Sequence, residues 1–346
     1  MNLEKIDIRA ISLDELRVKF AELGEKPFRA NQVYEWLWNK SSTDFSRMTN
    51  ISLRLRNVLN EHFTIRPARL DGSQYSADKT IKSAFRLYDD HIIEGVLIPR
   101  KNRMTACVSS QAGCSLSCKF CATGYLERKR NLEPGEIYDQ VVLINRLARE
   151  KYDSPLTNIV FMGMGEPLLN YNNVMEGIRL ITSEEGLNMS AKRITLSTAG
   201  ISKMIRKLAD DNVKFKLAVS LHAANDVKRN RIMPINETNS LKSLSEALQD
   251  FFHATRSRIT FEYIVFRDFN DSPEDAEELY QFVRKIPCKI NIIEYNPIRE
   301  AKFENSSADR IEYLAKYLEM KEITVKIRRS RGKDIDAACG QLAGRR

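Results

Sequence analysis

No apolar run in the 346-residue chain approaches the ~20 residues that cross a bilayer, so no membrane-spanning helix is expected. The start, Met1-Asn2-Leu3-Glu4-Lys5, carries no apolar signal core. Glycine (14) and proline (10) are too few for a low-complexity chain. Histidine is scarce, at positions 62, 91, 222 and 253 only. The six cysteines show no disulfide framework, so a reducing, cytoplasmic setting is expected, with the thiols as ligands or catalysts rather than staples. A hydrophobic content of 42% supports a sizeable core, enough for one large domain with an appendage, or for two domains. The net charge of +9 points to a polyanionic partner, with nucleic acid the first candidate and a merely solvated basic surface the alternative.

The chain is organised around Cys114, Cys118 and Cys121, a C-x₃-C-x₂-C run within Cys114-Ser115-Leu116-Ser117-Cys118-Lys119-Phe120-Cys121. That spacing is too tight for disulfides and suits three thiolates on one inorganic centre. A [4Fe–4S] cube is held by cysteine thiolates and normally takes four, so three leave one iron open to a cofactor or substrate. Structural zinc wants four closed ligands. No second C-x-x-C knuckle follows here, and the histidines are scattered. With an aromatic residue just before the third cysteine, the run resembles the cluster motif of the radical S-adenosylmethionine (SAM) superfamily.

Taken in order, residues 1–62 read as a small helical domain that grips RNA, with Ser12 as a capped start and a break at Pro27. Its charges include Lys26, Arg29, Lys40, Arg47, Arg54 and Arg56; a solvated face is the plainer alternative. Residues 63–99 alternate as a β-hairpin extension or linker, turning at Asp89-Asp90, with Glu94 between Ile93 and Gly95. Residues 100–330 alternate strand-like and helix-like segments. The expected class is therefore α/β, a partial (βα)₆-type barrel with helices outside.

Barrel chemistry collects at the carboxyl ends of strands. Those ends carry Gly163-Met164-Gly165-Glu166-Pro167, Ser197-Thr198-Ala199-Gly200, Ser220-Leu221-His222 and Asn296-Pro297. Any one of them is an ordinary turn; four aimed at one rim suggest a shared pocket. A lone histidine at a strand end, as at His222, is often only structural. Cys288 opens an apolar strand and reads as core. Residues 331–346 form a tail that brings a single thiol, Cys339, after a basic stretch. Arg128-Lys129-Arg130 is a further candidate for holding RNA, or a solvated run.

Cys107 and Cys339, outside the cluster motif, complete a pattern similar to the RlmN/Cfr family. The likeness also runs through Phe28–Val33 with Trp36-Leu37, Ile93–Pro99, Gly163–Pro167 and Asp334–Leu342. The resemblance implies methylation of carbon 2 of adenosine in 23S rRNA at the peptidyl-transferase centre, and in tRNA beside the anticodon. Carbon 8 in the manner of Cfr is the alternative. It implies a [4Fe–4S] cluster on Cys114, Cys118 and Cys121. It implies SAM, two molecules per turnover, held by Gly165, Glu166, Ser197, Ser220, Leu221, His222 and Asn296. It implies that Cys339 is methylated first, and that a second SAM yields a 5′-deoxyadenosyl radical that takes a hydrogen from that methyl. The resulting carbon joins the RNA, and Cys107 resolves the adduct, leaving a transient Cys107–Cys339 disulfide. An electron donor and a thiol reductant are then required, and a monomer is expected. Either Glu94 or Cys107 is to accept the carbon-2 proton. A non-catalytic iron–sulfur RNA-binding protein would need neither Cys107 nor Cys339.

Overall fold

The computed structural model describes residues 5–344. Its centre is one ten-stranded sheet. The strands are β1 (Arg69–Tyr75), β2 (Ile81–Arg86), β3 (Ile92–Arg100), β4 (Arg103–Cys107), β5 (Asn158–Phe161), β6 (Ile194–Thr198), β7 (Lys216–Ser220), β8 (Ile259–Val265), β9 (Cys288–Glu294) and β10 (Thr324–Arg328). Each lies beside its neighbours in the chain. From β4 to β10 every pairing is parallel, and β1 to β4 pair antiparallel. The sheet ends at β1 and β10 without closing, as a partial barrel. The interior strand β8 is buried at every residue, as in a parallel strand covered on both faces.

Helices α1 (Leu13–Glu22), α2 (Phe28–Trp38) and α3 (Leu53–His62) form the amino-terminal bundle. The Ser12–Glu15 capping box starts α1, and the Ser52 side chain caps α3. Helices α4 (Pro134–Tyr152), α5 (Tyr171–Thr182), α6 (Ser202–Asp210), α7 (Asp226–Ile232), α8 (Leu241–Thr255), α9 (Pro273–Val283) and α10 (Ala308–Met320) accompany the parallel strands. The bundle docks on α4. Both Asp139 oxygens accept from Arg9 Nη1 at 2.9 Å, the Ala68 amide adds a bond at 2.8 Å, and Trp38 meets Tyr138 edge-on.

Two elements depart from the expected pattern. The extension is three-stranded, because the largely exposed Arg69–Tyr75 also pairs, and α7 lies in a stretch with no legible period. Arg130, in the run that is a candidate for holding RNA, is also engaged within the fold. It spans Asp89 and Glu136, with bonds of 2.7 Å to both Glu136 oxygens, and so ties the β2–β3 turn to the start of α4. Among the described residues no helix is long and apolar enough to cross a membrane.

Candidate active site

The cysteine loop follows β4. A short ladder, Gln111–Ala112 against Arg130–Asn131, pinches its base. Gly113 sits at φ +81°, and a Cβ there would lie 2.1 Å from the Glu127 carbonyl oxygen, so no other residue fits the pinch. The Lys119 amide donates to the Ile232 carbonyl at 2.9 Å, fastening the loop to α7, and the Ala122 amide donates to Gly340 at 2.7 Å, fastening it to the tail. Beneath lies a separate apolar cluster that includes Leu116, Phe120, Met233, Phe266 and Tyr295.

All three loop cysteines line a cavity of ≈ 150 Å³ at the carboxyl ends of the strands. The same wall holds Gly163, Gly165, Glu166, Ser197, Ser220, His222 and Cys339. Burial pushes the free Cys114 thiol up to about 11 and raises Cys118 and Cys121 as well. A metal must therefore displace their protons. Among the described residues no three His, Cys, Asp or Glu side chains converge on a single ion. A cube takes one thiolate on each of several irons and suits the donor set.

The cradle beside the cysteines fits a cofactor. Gly165 is at φ +92°, and a Cβ there would stand 2.5 Å from Gln111 Cβ; one on Gly163 would stand 2.7 Å from the Val108 carbonyl. Both glycines are thus required by their close packing on residues 108–111, and both line the cavity. Glu166 is 3% exposed, and its oxygens accept from the Leu168 amide at 3.0 Å and the Ala199 amide at 2.7 Å. Burial raises its carboxyl above the ordinary range despite those amides. His222 Nδ1 accepts from the Ile264 amide at 3.1 Å, which leaves Nε2 to carry the proton. Burial, then the nearby Arg229 charge, holds this imidazole neutral, its pKa lowered to about 3.

Two expected cofactor residues stand outside the cavity lining. Leu221 is fully buried, and its carbonyl accepts from Arg229. Asn296 Nδ2 donates to the Cys339 carbonyl at 3.1 Å. Glu94 and Cys107 also stand outside the lining, both buried. Cys107 ends β4, and its thiol is pushed up to about 12 by burial, with Cys339 adding to the rise and Arg328 opposing it. Burial raises Cys339 too, again with Arg328 opposing. Both thiols are free. Cys339 exposes much of its surface and lines two cavities.

Sequence patterns missed two arginines. Arg229 is fully buried and donates to the carbonyls of Ala199, Ser220 and Leu221 at 2.6, 3.2 and 3.1 Å, drawing two strand ends together. Burial draws its pKa down to about 10, against the pull of Cys118 and Asp226. Arg328 at the end of β10 donates to Glu262 of β8 at 3.1 Å, and Asn291 of β9 holds the other Glu262 oxygen at 2.7 Å. Nothing in the local spacing of either arginine distinguishes it from a surface charge.

Residues 6–65 match the Ribosomal RNA large subunit methyltransferase N-terminal domain, and residues 108–283 match the Radical SAM superfamily. The chain is 63% identical over 341 residues to the probable dual-specificity RNA methyltransferase RlmN of Cytophaga hutchinsonii, spanning 99% of this chain and 93% of that protein. It is 43% identical to the dual-specificity RNA methyltransferase RlmN of Buchnera aphidicola, over 99% of this chain and 94% of that one. The crystal structure of a radical SAM methyltransferase from Sphaerobacter thermophilus superposes with a TM-score of 0.92 at 40% identity, covering 98% of this chain and 100% of that chain. With the cysteine loop, the cradle and the thiol-bearing tail in one place, the chain belongs to the RlmN family of radical SAM RNA methyltransferases.

Proposed function

We propose that the protein methylates carbon 2 of adenosine in 23S rRNA and in tRNA beside the anticodon, with Cys339 carrying the transferred carbon. One observation supports this most: Cys339 lines two cavities at once. One is the cofactor cavity. The other, ≈ 270 Å³, opens toward the strand starts and is lined by Arg100, Arg103, Lys216, Lys289, Lys326, Arg328, Arg329 and Arg331, with Glu262 the sole acid among its described residues. Burial lowers the pKa of Lys289, and Lys216, Lys326 and Arg103 lower it further. Arg100 is lowered in the same way, by burial and then by Arg328, Arg331 and Arg103. Such crowding of like charge calls for a polyanion, and RNA phosphates answer it. The adenosine enters unstacked from its neighbours, at a cost of about a few kcal/mol.

Carbon 2 of adenine lies between two ring nitrogens and is too electron-poor to attack a methyl cation equivalent. Cys114, Cys118 and Cys121 would hold the [4Fe–4S] cluster, and Gly165, Glu166, Ser197, Ser220 and His222 would hold SAM, with Asn296 Oδ1, unpartnered among the described residues, a further acceptor for it. Bound there, two SAM molecules per turnover supply a methyl group and a hydrogen-abstracting radical. Cys339 takes the methyl on sulfur; once a hydrogen atom is removed from that S-methyl, its carbon bonds to carbon 2 of the base, and the adduct gives up the carbon-2 proton and one electron, which the cluster that Cys114, Cys118 and Cys121 would hold can accept. The Cys107 thiolate then attacks the Cys339 sulfur. The carbon–sulfur bond breaks, its electron pair passes to the departing carbon, which is protonated, and the two sulfurs are left as a disulfide. A thiol reductant resets the pair. The protein acts as a monomer in the cytoplasm, beside its RNA and an electron donor.

Anaerobic reconstitution with SAM, a reductant and protein-free large-subunit rRNA tests this. The expected product is 2-methyladenosine, identified by mass spectrometry of digested RNA, with none from Cys339→Ala. 8-Methyladenosine would keep the apparatus and change the target carbon.

A further inference from the structure

Glu94 lines neither cavity at which Cys339 is presented. It is 2% exposed, and its Oε2 accepts two backbone amides from the tail, Ala343 at 2.8 Å and Gly344 at 3.1 Å. Lys82 Nζ lies 3.6 Å from Oε1 and 3.5 Å from the Asp336 carbonyl oxygen. Gly344 is at φ +61°, and a Cβ there would fall 2.9 Å from the Ile92 carbonyl, so the tail approaches β3 as closely as backbone allows. The backbone of Glu94 is fixed as well. Its carbonyl accepts from Ser109 Oγ at 2.6 Å, and the same Oγ accepts from the Met164 amide at 2.8 Å, inside the Gly163–Gly165 cradle.

We propose that Glu94 is a positioning residue, a carboxylate latch that holds the far end of the tail and so fixes Cys339 between the two cavities. The importance of that placement rests on the proposed reaction; the latch itself does not. Cys339 is held from both sides. Upstream, the Gly332 amide donates to Asp78 at 3.0 Å, and Asp334 accepts from Ser76 and the Ala77 amide at 2.6 and 3.0 Å. Downstream, Thr123 donates to the Leu342 carbonyl at 2.6 Å, and Glu94 binds the next two amides. The upstream anchors grip the β1–β2 turn. Among the described residues, the Glu94 contact alone joins the tail to a buried carboxyl group in the strand beside Cys107, and one oxygen of that group takes both amides. Acting as proton acceptor on Oε2 would require Glu94 first to release these amides.

The test uses the full-length, cluster-loaded enzyme with Glu94→Gln, Glu94→Ala and Ala343→Pro. The last removes one donor and leaves the carboxylate untouched. Hydrogen exchange of the peptide covering 338–344 is followed by mass spectrometry, together with methylation of Cys339 and of RNA. The latch predicts exchange faster by roughly tenfold or more in Glu94→Ala and Ala343→Pro, with Cys339 methylation slowed in both. Glu94→Gln retains an acceptor oxygen and should preserve most of the protection and most of the methylation. If Glu94→Gln is as inactive as Glu94→Ala while both keep wild-type exchange, Glu94 is a proton acceptor and the latch is wrong. Wild-type exchange in Ala343→Pro overturns it equally, even if Glu94→Ala fails to fold. Absence of RNA methylation in every protein, wild type included, with exchange in the predicted order, would fault the reaction and support the latch.

Discussion

Asn296 holds Cys339 by its backbone: the amide Nδ2 donates to the Cys339 carbonyl at 3.1 Å, while the buried Oδ1 has no partner among the described residues. A strand-end side chain thus fixes the peptide that carries the thiol and keeps an acceptor in reserve. An unsatisfied buried acceptor costs about 1–3 kcal/mol, so a donor on a bound ligand would be strongly favoured there.

Asn296→Ala removes both the tether and the waiting acceptor. SAM affinity, measured by equilibrium dialysis of the reconstituted enzyme, is expected to fall by roughly tenfold, with thermal stability changed by less than ~1 kcal/mol. Unchanged affinity would show that Asn296 serves the tail alone.

Gly165→Ala is expected to fail for two reasons at once. The residue sits at φ +92°, and the new Cβ would meet Gln111 Cβ at 2.5 Å. Strain of this kind costs about 1–3 kcal/mol, to be read from urea unfolding. SAM binding should be lost as well, because relief of the clash must displace the cradle. A variant that binds SAM normally would mean the backbone does not form the ligand wall.

Much of this site is local in sequence, and that part was legible. The cysteine loop and the strand-end motifs are short runs whose spacing already carries their chemistry, and the β-α alternation sets their common rim. The rest depends on pairs far apart in the chain. Glu94 of β3 meets Ala343 of the tail, and Arg328 of β10 meets Glu262 two strands away on β8. Arg130 is a further case. Its basic run is a candidate for holding RNA, its partners within the fold are Asp89 and Glu136, and only the folded chain brings Asp89 near. Residues 69–75 were missed for a different reason: an almost fully exposed edge strand has no apolar alternation to reveal it.

Arg328→Met should slow resolution of the RNA adduct, because the guanidinium favours the thiolate at both Cys107 and Cys339. It also strips Glu262, whose side chain is 6% exposed, of its charged partner. A loss of about 1.5–3 kcal/mol in stability is expected from that charged hydrogen bond. Single-turnover kinetics separates the effects: adduct should form at a near-normal rate and then persist.

Resolution should also depend on pH in a defined direction. Burial pushes the Cys107 thiol up to about 12, from an ordinary value of 9.0. Only a small thiolate fraction exists near neutrality, and it grows about tenfold per pH unit until that value is approached. Single-turnover resolution should rise with a slope near 1 between roughly pH 7 and 10. The sign for stability is opposite. A thiol kept neutral by burial contributes fully below 9.0, and its contribution is lost as pH climbs from 9.0 toward about 12. A flat rate profile would remove Cys107 from the rate-governing step.

The most direct test of the account is the Cys107→Ala protein with RNA, SAM and reductant, analysed by denaturing gel and by mass spectrometry of the digested adduct. The account predicts a covalent RNA–protein species joined through the Cys339 sulfur and one carbon to carbon 2 of adenosine, with little free product. Free 2-methyladenosine in repeated turnovers, with no adduct, would contradict it.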